Sequence, residues 1–117
     1  KPCELSYNSS PLLKHPLRGA VLINSNFHRA NFNNTEFIEY VNLGVAYFSH
    51  STFKNADFTR CDFLSIRDAN FNNCDLSNSK FPAKDCIRCE KSNFSKANLT
   101  NTNFRSSIDS KQVIIDS

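Results

Sequence analysis

The chain has 117 residues, with Lys+Arg 14 against Asp+Glu 11, a formal net charge of +3, 39% hydrophobic and 21% charged residues, and Phe 11 beside Met 0 and Trp 0. That length suits one domain with its own core, and aromatics at 12% are too many for a charged disordered tail. No run approaches the roughly 20 apolar residues of a membrane-spanning helix, and so mild a positive charge gives no argument for a nucleic-acid partner.

In chain order, residues 1–11, with Pro2 and Pro11, read as an N-terminal cap segment. A repeat then begins. Leu12, Leu17, Leu22, Phe27, Phe32 and Phe37 fall five residues apart. One extra residue near Tyr40 precedes Leu43, Phe48, Phe53, Phe58 and Phe63. A bulge expected at residues 65–68 leads to Phe71, Leu76 and Phe81, and a second at residues 82–88 leads to Phe94, Leu99 and Phe104. A period of five fits neither a helix nor a simple strand, and self-similarity at a fixed period marks a solenoid.

The residue two before each centre is nearly always small, as at Ala30, Ser51, Ala56, Cys61, Ala69 and Cys74, and the residue between is often Asn or Asp, as at Asn31, Asp57, Asn70 and Asp75. Two inward positions flanking an outward one is strand-like alternation. The other two residues of each unit must turn the chain, for which Asn and Ser are suited by local hydrogen bonding. Cys61 and Cys74 therefore read as core fillers.

The stretches Ala30-Asn31-Phe32-Asn33-Asn34, Ala56-Asp57-Phe58-Thr59-Arg60 and Ala97-Asn98-Leu99-Thr100-Asn101 resemble the A-(D/N)-L/F-x-x units of the pentapeptide-repeat family. The resemblance extends over residues 12–109, leaving residues 110–117 as a C-terminal cap segment. It implies an all-β, right-handed quadrilateral β-helix of about four and a half coils, with four units per coil. Stacking the units gives columns Leu12, Phe32, Phe53, Leu76, Leu99; Leu17, Phe37, Phe58, Phe81, Phe104; Leu22, Leu43, Phe63, Cys89; and Phe27, Phe48, Phe71, Phe94. The eleven phenylalanines Phe27, Phe32, Phe37, Phe48, Phe53, Phe58, Phe63, Phe71, Phe81, Phe94 and Phe104 are expected in the core.

Chemistry is sparse. There is no G-x-S-x-G, H-E-x-x-H or phosphate loop, and the Phe-filled interior leaves no deep pocket, so the chain reads as non-enzymatic with no cofactor. Cys86-Ile87-Arg88-Cys89 is the single C-x-x-C. A zinc site wants four ligands, so these cysteines are read as structural, with a local disulfide or a metal or redox role as alternatives. Asn34, Asn55, Asn78 and Asn101 recur at one turn position and read as an amide ladder. His28, Arg29, His50 and Lys96 give a weak basic stripe, read as a solvated face. The most suggestive wall places Ile23, Val45 and Leu64 outward, with Ile38 and Tyr40 near the bulged corner. Apolar side chains aligned on an outer face suggest a protein partner or self-association.

The resemblance thus implies a binding or scaffolding module, from a bacterial cytosol or a secreted effector. It also brings in a DNA-mimic role against topoisomerases, as in the quinolone-resistance branch, which needs an anionic surface that a charge of +3 does not supply.

Overall fold

The computed structural model describes residues 17–115. The expected cap at residues 1–11 and Leu12 at the head of its column lie outside the described residues. The named elements are β1 (Leu17–Arg18), β2 (Glu36–Asn42), β3 (Asp57–Ser65), a 3-10 turn (Lys84–Cys86), β4 (Ile87–Arg88) and a single-turn helix α1 (Phe104–Ser107). The strands form one parallel sheet in the order β1-β2-β3-β4. Single parallel bridges carry the same ladder around the other walls, through Asn26, Tyr47, Asn70 and Asn93 and through Asn31, Thr52, Asp75 and Asn98. The chain therefore returns beside itself every 21 residues at first (Asn31↔Thr52) and every 23 after the insertions (Thr52↔Asp75), enough for four five-residue units per winding.

Each unit is held locally before it is packed. Two residues after the centre the backbone turns left-handed, at thirteen non-glycine positions from Asn24 to Asn101 and at Gly19. The turns close by bonds such as Ala30 N–H to the Phe27 carbonyl at 3.1 Å and Ala69 N–H to Ile66 at 3.0 Å. A positive φ at the third residue of a four-residue turn is the type II signature and favours Asn among non-glycines; six of the thirteen are Asn. The outward Asn or Asp before the centre fixes the turn from the other side. Its side-chain oxygen accepts the backbone N–H two residues on, from Asn33 to Asn31 at 2.8 Å, Asn72 to Asn70 at 2.8 Å and Ser95 to Asn93 at 2.9 Å.

Inside, the rings form vertical stacks. Phe27, Phe48, Phe71 and Phe94 lie 5.6, 5.1 and 5.0 Å apart between successive centroids, nearly parallel. Phe32 and Phe53 stack at 4.9 Å, and Phe37 and Phe58 at 4.3 Å. Neighbouring stacks meet edge to face, as Phe48 does with Phe53 at 78°. The small inward residues tie windings together: Ser51 Oγ donates to the Phe27 carbonyl at 2.5 Å, and Cys74 Sγ to that of Phe48 at 2.9 Å.

One column departs from expectation. Leu43 N–H donates to Ser65 and Ile66 N–H to Arg88, so Leu22, Leu43, Ile66 and Cys89 form the third column. Ile66 is buried, whereas Phe63 is half-buried and lies outside the core cluster. The bulge expected at residues 65–68 is drawn back into β3, where the register against β2 shifts twice. All three insertions then fall between the Phe37, Phe58, Phe81 column and the third column, leaving the other ladders unbroken. Large residues take the small inward position here: Val41 and Leu64 are buried, and Ile87 packs on the core. The centres shrink to Leu, Ile and Cys in compensation, as constant packing volume requires.

At the C-terminal end Phe104 leaves the stack and packs edge-on against Phe81 and Phe94. The Asn103 side-chain amide substitutes for a missing peptide group, accepting from Phe81 N–H at 2.7 Å and donating to its carbonyl at 3.0 Å. Residues 112–115 then pair in parallel with residues 91–94, through Lys91 N–H to Gln112 and Ile114 N–H to Ser92.

Candidate functional site

Of the five residues expected on the apolar wall, Ile23, Tyr40 and Val45 are exposed, Tyr40 at 67% and Val45 at 52%. Ile38 and Leu64 are buried, at 5% and 0%, and are withdrawn from the surface. The cause for Leu64 is the one-residue change of phase in β3, which exchanges inside and outside along a strand. For Ile38 it is the bulge between Glu36 and Ile38, which turns two consecutive side chains, Phe37 and Ile38, inward.

The same change adds Phe63, which pairs with Tyr40 at a ring separation of 6.4 Å. Val21 and Tyr47 are also exposed, at 66% and 40%. Both occupy the outward position before a centre, where the other described units place a polar residue, most often Asn or Asp; an apolar or aromatic residue there is the readable signal. Val21 bridges to Asn42 in the ladder, and Asn24 N–H donates to the Gly44 carbonyl, which sets Ile23 one winding above the Gly44–Val45 turn.

Val45 is unusual among the turn residues. Its φ is 60°, and it is the sole β-branched side chain among the thirteen left-handed non-glycines. That backbone region is a genuine outlier for a β-branched residue. Beside it, a shallow groove of about 310 Å³ runs past Ile23, Asn42, Ser65 and Arg88. Gly44 keeps its floor open, since a Cβ there would sit 3.1 Å from Asn42 Oδ1. Ion pairs flank the surface on both sides: Arg18–Glu39 at 2.8 Å and Arg60–Glu36 at 2.6 Å on one, Arg88–Glu90 at 3.4 Å and Arg67–Asp68 at 3.9 Å on the other. The acidic and basic groups balance.

The remaining candidates separate. Asn34, Asn55, Asn78 and Asn101 do align, each with φ near 60°, but their side chains make no hydrogen bonds to one another among the described residues. Their common feature is the left-handed turn, in place of an amide ladder. Cys86 sits half-buried in the 3-10 turn and Cys89 faces the core, with the extended Ile87–Arg88 strand between them. Three extended steps put their Cα atoms about 10 Å apart, beyond the range a disulfide spans. Burial raises the Cys89 thiol above its usual range. Burial, reinforced by Asp57 and Asp62, pushes Cys61 up to about 12, and burial does the same to Cys74. Such thiols stay protonated and inert at neutral pH. His28 and His50 meet edge to face at 5.5 Å, and His28 stacks on Tyr47 at 6.0 Å. Among the described residues no helix is long and apolar enough to cross a membrane.

A left-handed turn every five residues, a ladder that closes after four units and Phe stacks inside define a parallel β-solenoid of pentapeptides. The family described as Pentapeptide repeats matches in eight copies over residues 17–39, 38–64 and 85–108, and the chain belongs to that family. No curated protein matches the sequence. Among solved structures, a trypsin-treated variant of QnrB1, a plasmid-mediated fluoroquinolone resistance protein, aligns over 88% of this chain and 83% of its own. Identity is 15% and the TM-score 0.23, too weak a likeness to carry any argument.

Proposed function

We infer that the chain is a non-enzymatic protein-binding or scaffolding module, built as a right-handed quadrilateral β-helix of about four and a half coils, and that its partner docks on the wall formed by Ile23, Tyr40, Phe63 and Val45. The observation that supports this reading is Val45. It combines a φ of 60° with 52% exposure, so it incurs backbone strain and leaves apolar surface in water at once. Asn, which fills six of the thirteen equivalent non-glycine turns, would avoid both. Strain kept at an exposed position is a pointer to use. The flanking Arg and Glu pairs make a rim of balanced charge, which a second copy of the chain related by a two-fold axis could match to itself. A DNA-mimic role is set aside, since it requires an anionic surface and the net charge is +3.

Size-exclusion chromatography with light scattering tests the reading on the wild type and on Tyr40→Glu combined with Val45→Glu. Both side chains are exposed, so the variant is expected to fold. A wild-type dimer that becomes a folded monomer in the variant supports the wall as the self-association face. Monomers in both cases at high concentration would remove the second copy as its partner.

A further inference from the structure

We propose that the edge of the last winding at residues 97–101 accepts an acidic, extended peptide strand from a partner protein. Within the solenoid each unit is covered by the next winding. Residues 74–78 show the pattern: Leu76 and Asn78 N–H donate to the Asn98 and Thr100 carbonyls, and the Cys74 carbonyl accepts from Asn98 N–H, each at 2.9 Å. One winding on, the equivalent groups are the Leu99 and Asn101 N–H and the Ala97 carbonyl. None of the three has a partner among the described residues. The other walls at this end are closed. The Gln112 carbonyl accepts from Lys91 N–H at 2.7 Å, Ile114 bonds to both Ser92 and Phe94, and the Asn103 amide serves Phe81.

An edge with unpaired donors and acceptors at strand spacing is a template for another strand. Its direction follows from the groups that are open. An antiparallel partner would exchange both bonds with one residue and need the Leu99 carbonyl, which already accepts from Thr102 Oγ1 at 3.0 Å. A parallel partner needs the Ala97 carbonyl and Leu99 N–H, and these are the open ones. The chemistry of the partner follows from the surroundings. A groove of about 370 Å³ lies beside the edge, lined by Leu99, Thr102, Phe104, Arg105 and Ile115, and Arg105 is its one charged residue. Residues 91–115 carry Lys91, Lys96, Arg105 and Lys111, all exposed, against Asp109 alone. That excess of three positive charges equals the net charge of the whole chain. The complementary strand therefore alternates apolar residues, which cover Leu99, with carboxylates that face Arg105 and the lysines.

The test titrates the 117-residue chain into a fluorescent, end-blocked peptide alternating Val with Asp, read by anisotropy and by amide hydrogen exchange. Saturable binding is expected, with exchange slowed at Leu99 and Asn101. N-methylation of the Asp amides, which removes the donors to Ala97, should weaken binding about tenfold. N-methylation of the Val amides, which point away from the edge, should be tolerated. Arg105→Glu should also weaken binding about tenfold or more, whereas Lys54→Glu, two windings away, should barely change it. Both side chains are exposed, so unaltered thermal midpoints verify that the variants fold. Tyr40→Glu with Val45→Glu should leave peptide binding intact, which keeps this edge separate from the docking wall. Absence of saturable binding would overturn the proposal, as would indifference to Asp N-methylation or to Arg105→Glu. A dimer that Arg105→Glu dissociates would assign the edge to a second copy instead.

Discussion

The solenoid has a regular side and an irregular corner, and the two solve the same packing problem differently. On the regular side, around Phe27, Phe48, Phe71 and Phe94, every unit keeps five residues, pairs one large ring with one Ala, Ser or Cys, and returns through a left-handed turn. At the corner between Phe58 and Ile66 the chain instead runs as the nine-residue strand β3, with no left-handed residue. There Leu64 and Ile66 share the core, and Phe63 is displaced outward onto Tyr40. The repeat thus tolerates inserted residues when the insertions stack on one another, because the three other walls keep their ladder. Variation is confined to one corner, and that is where the exposed aromatic pair and the ion pairs collect.

The largest effect that can test this contrast is the removal of one ring from each region. Phe48 is fully buried and touches Phe27, Phe32, Phe53 and Phe71 at centroid distances of 5.1–5.8 Å. Phe48→Ala is expected to cost about 3–5 kcal/mol in urea unfolding. Phe63→Ala, from a half-buried site beside an exposed Tyr40, is expected to cost less than about 1.5 kcal/mol. Equal losses would show that the corner carries as much of the core as the regular walls do.

A pH effect separates the regions next. Cys74 lies on the regular side and Cys61 at the corner, and burial pushes both thiols up to about 12 from an ordinary value of 9.0. Each is an acid whose neutral form the fold prefers. The stabilisation they contribute is therefore complete below pH 9 and is lost as pH rises toward 12. Thermal midpoints should fall over that window, and Cys74→Ala should flatten the decline. A midpoint equally steep in the variant would assign the alkaline loss elsewhere.

Much of this was legible from one sequence because a period of five admits a single economical winding. Three columns follow from the Phe and Leu spacing alone, and so do the inward Cys61 and Cys74. In the third column Phe63 competes with Ile66, because it continues the count from Phe58 and is the larger side chain. Counting back five from Phe71 reaches Ile66, with Leu64 two before it, which is the phase the structure adopts. A repeat with insertions has two competing phases at each interruption, and side-chain size does not decide between them; the continuity of the neighbouring ladders does. The surface suffered for the same reason. The wrong phase points Leu64 and Ile38 outward, whereas Val21 and Tyr47 stand out by being non-Asn, non-Asp and apolar or aromatic at a position the other described units fill with polar residues. What no spacing could reveal was the backbone of Val45, since strain at φ belongs to the conformation.

Val45 supplies a smaller and sharper test. Val45→Asn relieves a β-branched residue in the left-handed region, a conformation that costs roughly 1–2 kcal/mol for a side chain other than Gly, Asn or Asp. The variant should be more stable by about 1 kcal/mol. If the wall is the docking face, the same change should weaken association. The opposite signs distinguish a residue retained for binding from one retained for the fold. A loss of stability would mean that the Val45 side chain packs to more purpose than its exposure suggests.

The smallest expected effect concerns the ion pairs along the corner. Arg18–Glu39 and Arg60–Glu36 are short, at 2.8 and 2.6 Å, yet their arginine side chains are 61% and 65% exposed. Pairs so open to solvent contribute between zero and about 1 kcal/mol to stability. Arg18→Ala with Arg60→Ala should accordingly shift the thermal midpoint by less than about 6 °C for each pair removed. Their charge has a different weight if two copies meet there, because a rim of alternating sign loses solvent and pairs across the two-fold axis. The dimer should then weaken in the double variant and become less sensitive to salt, while the monomer's stability barely moves. Wild-type association that is indifferent to ionic strength would leave the apolar side chains as the whole of the attraction and the arginines as ordinary solvated surface.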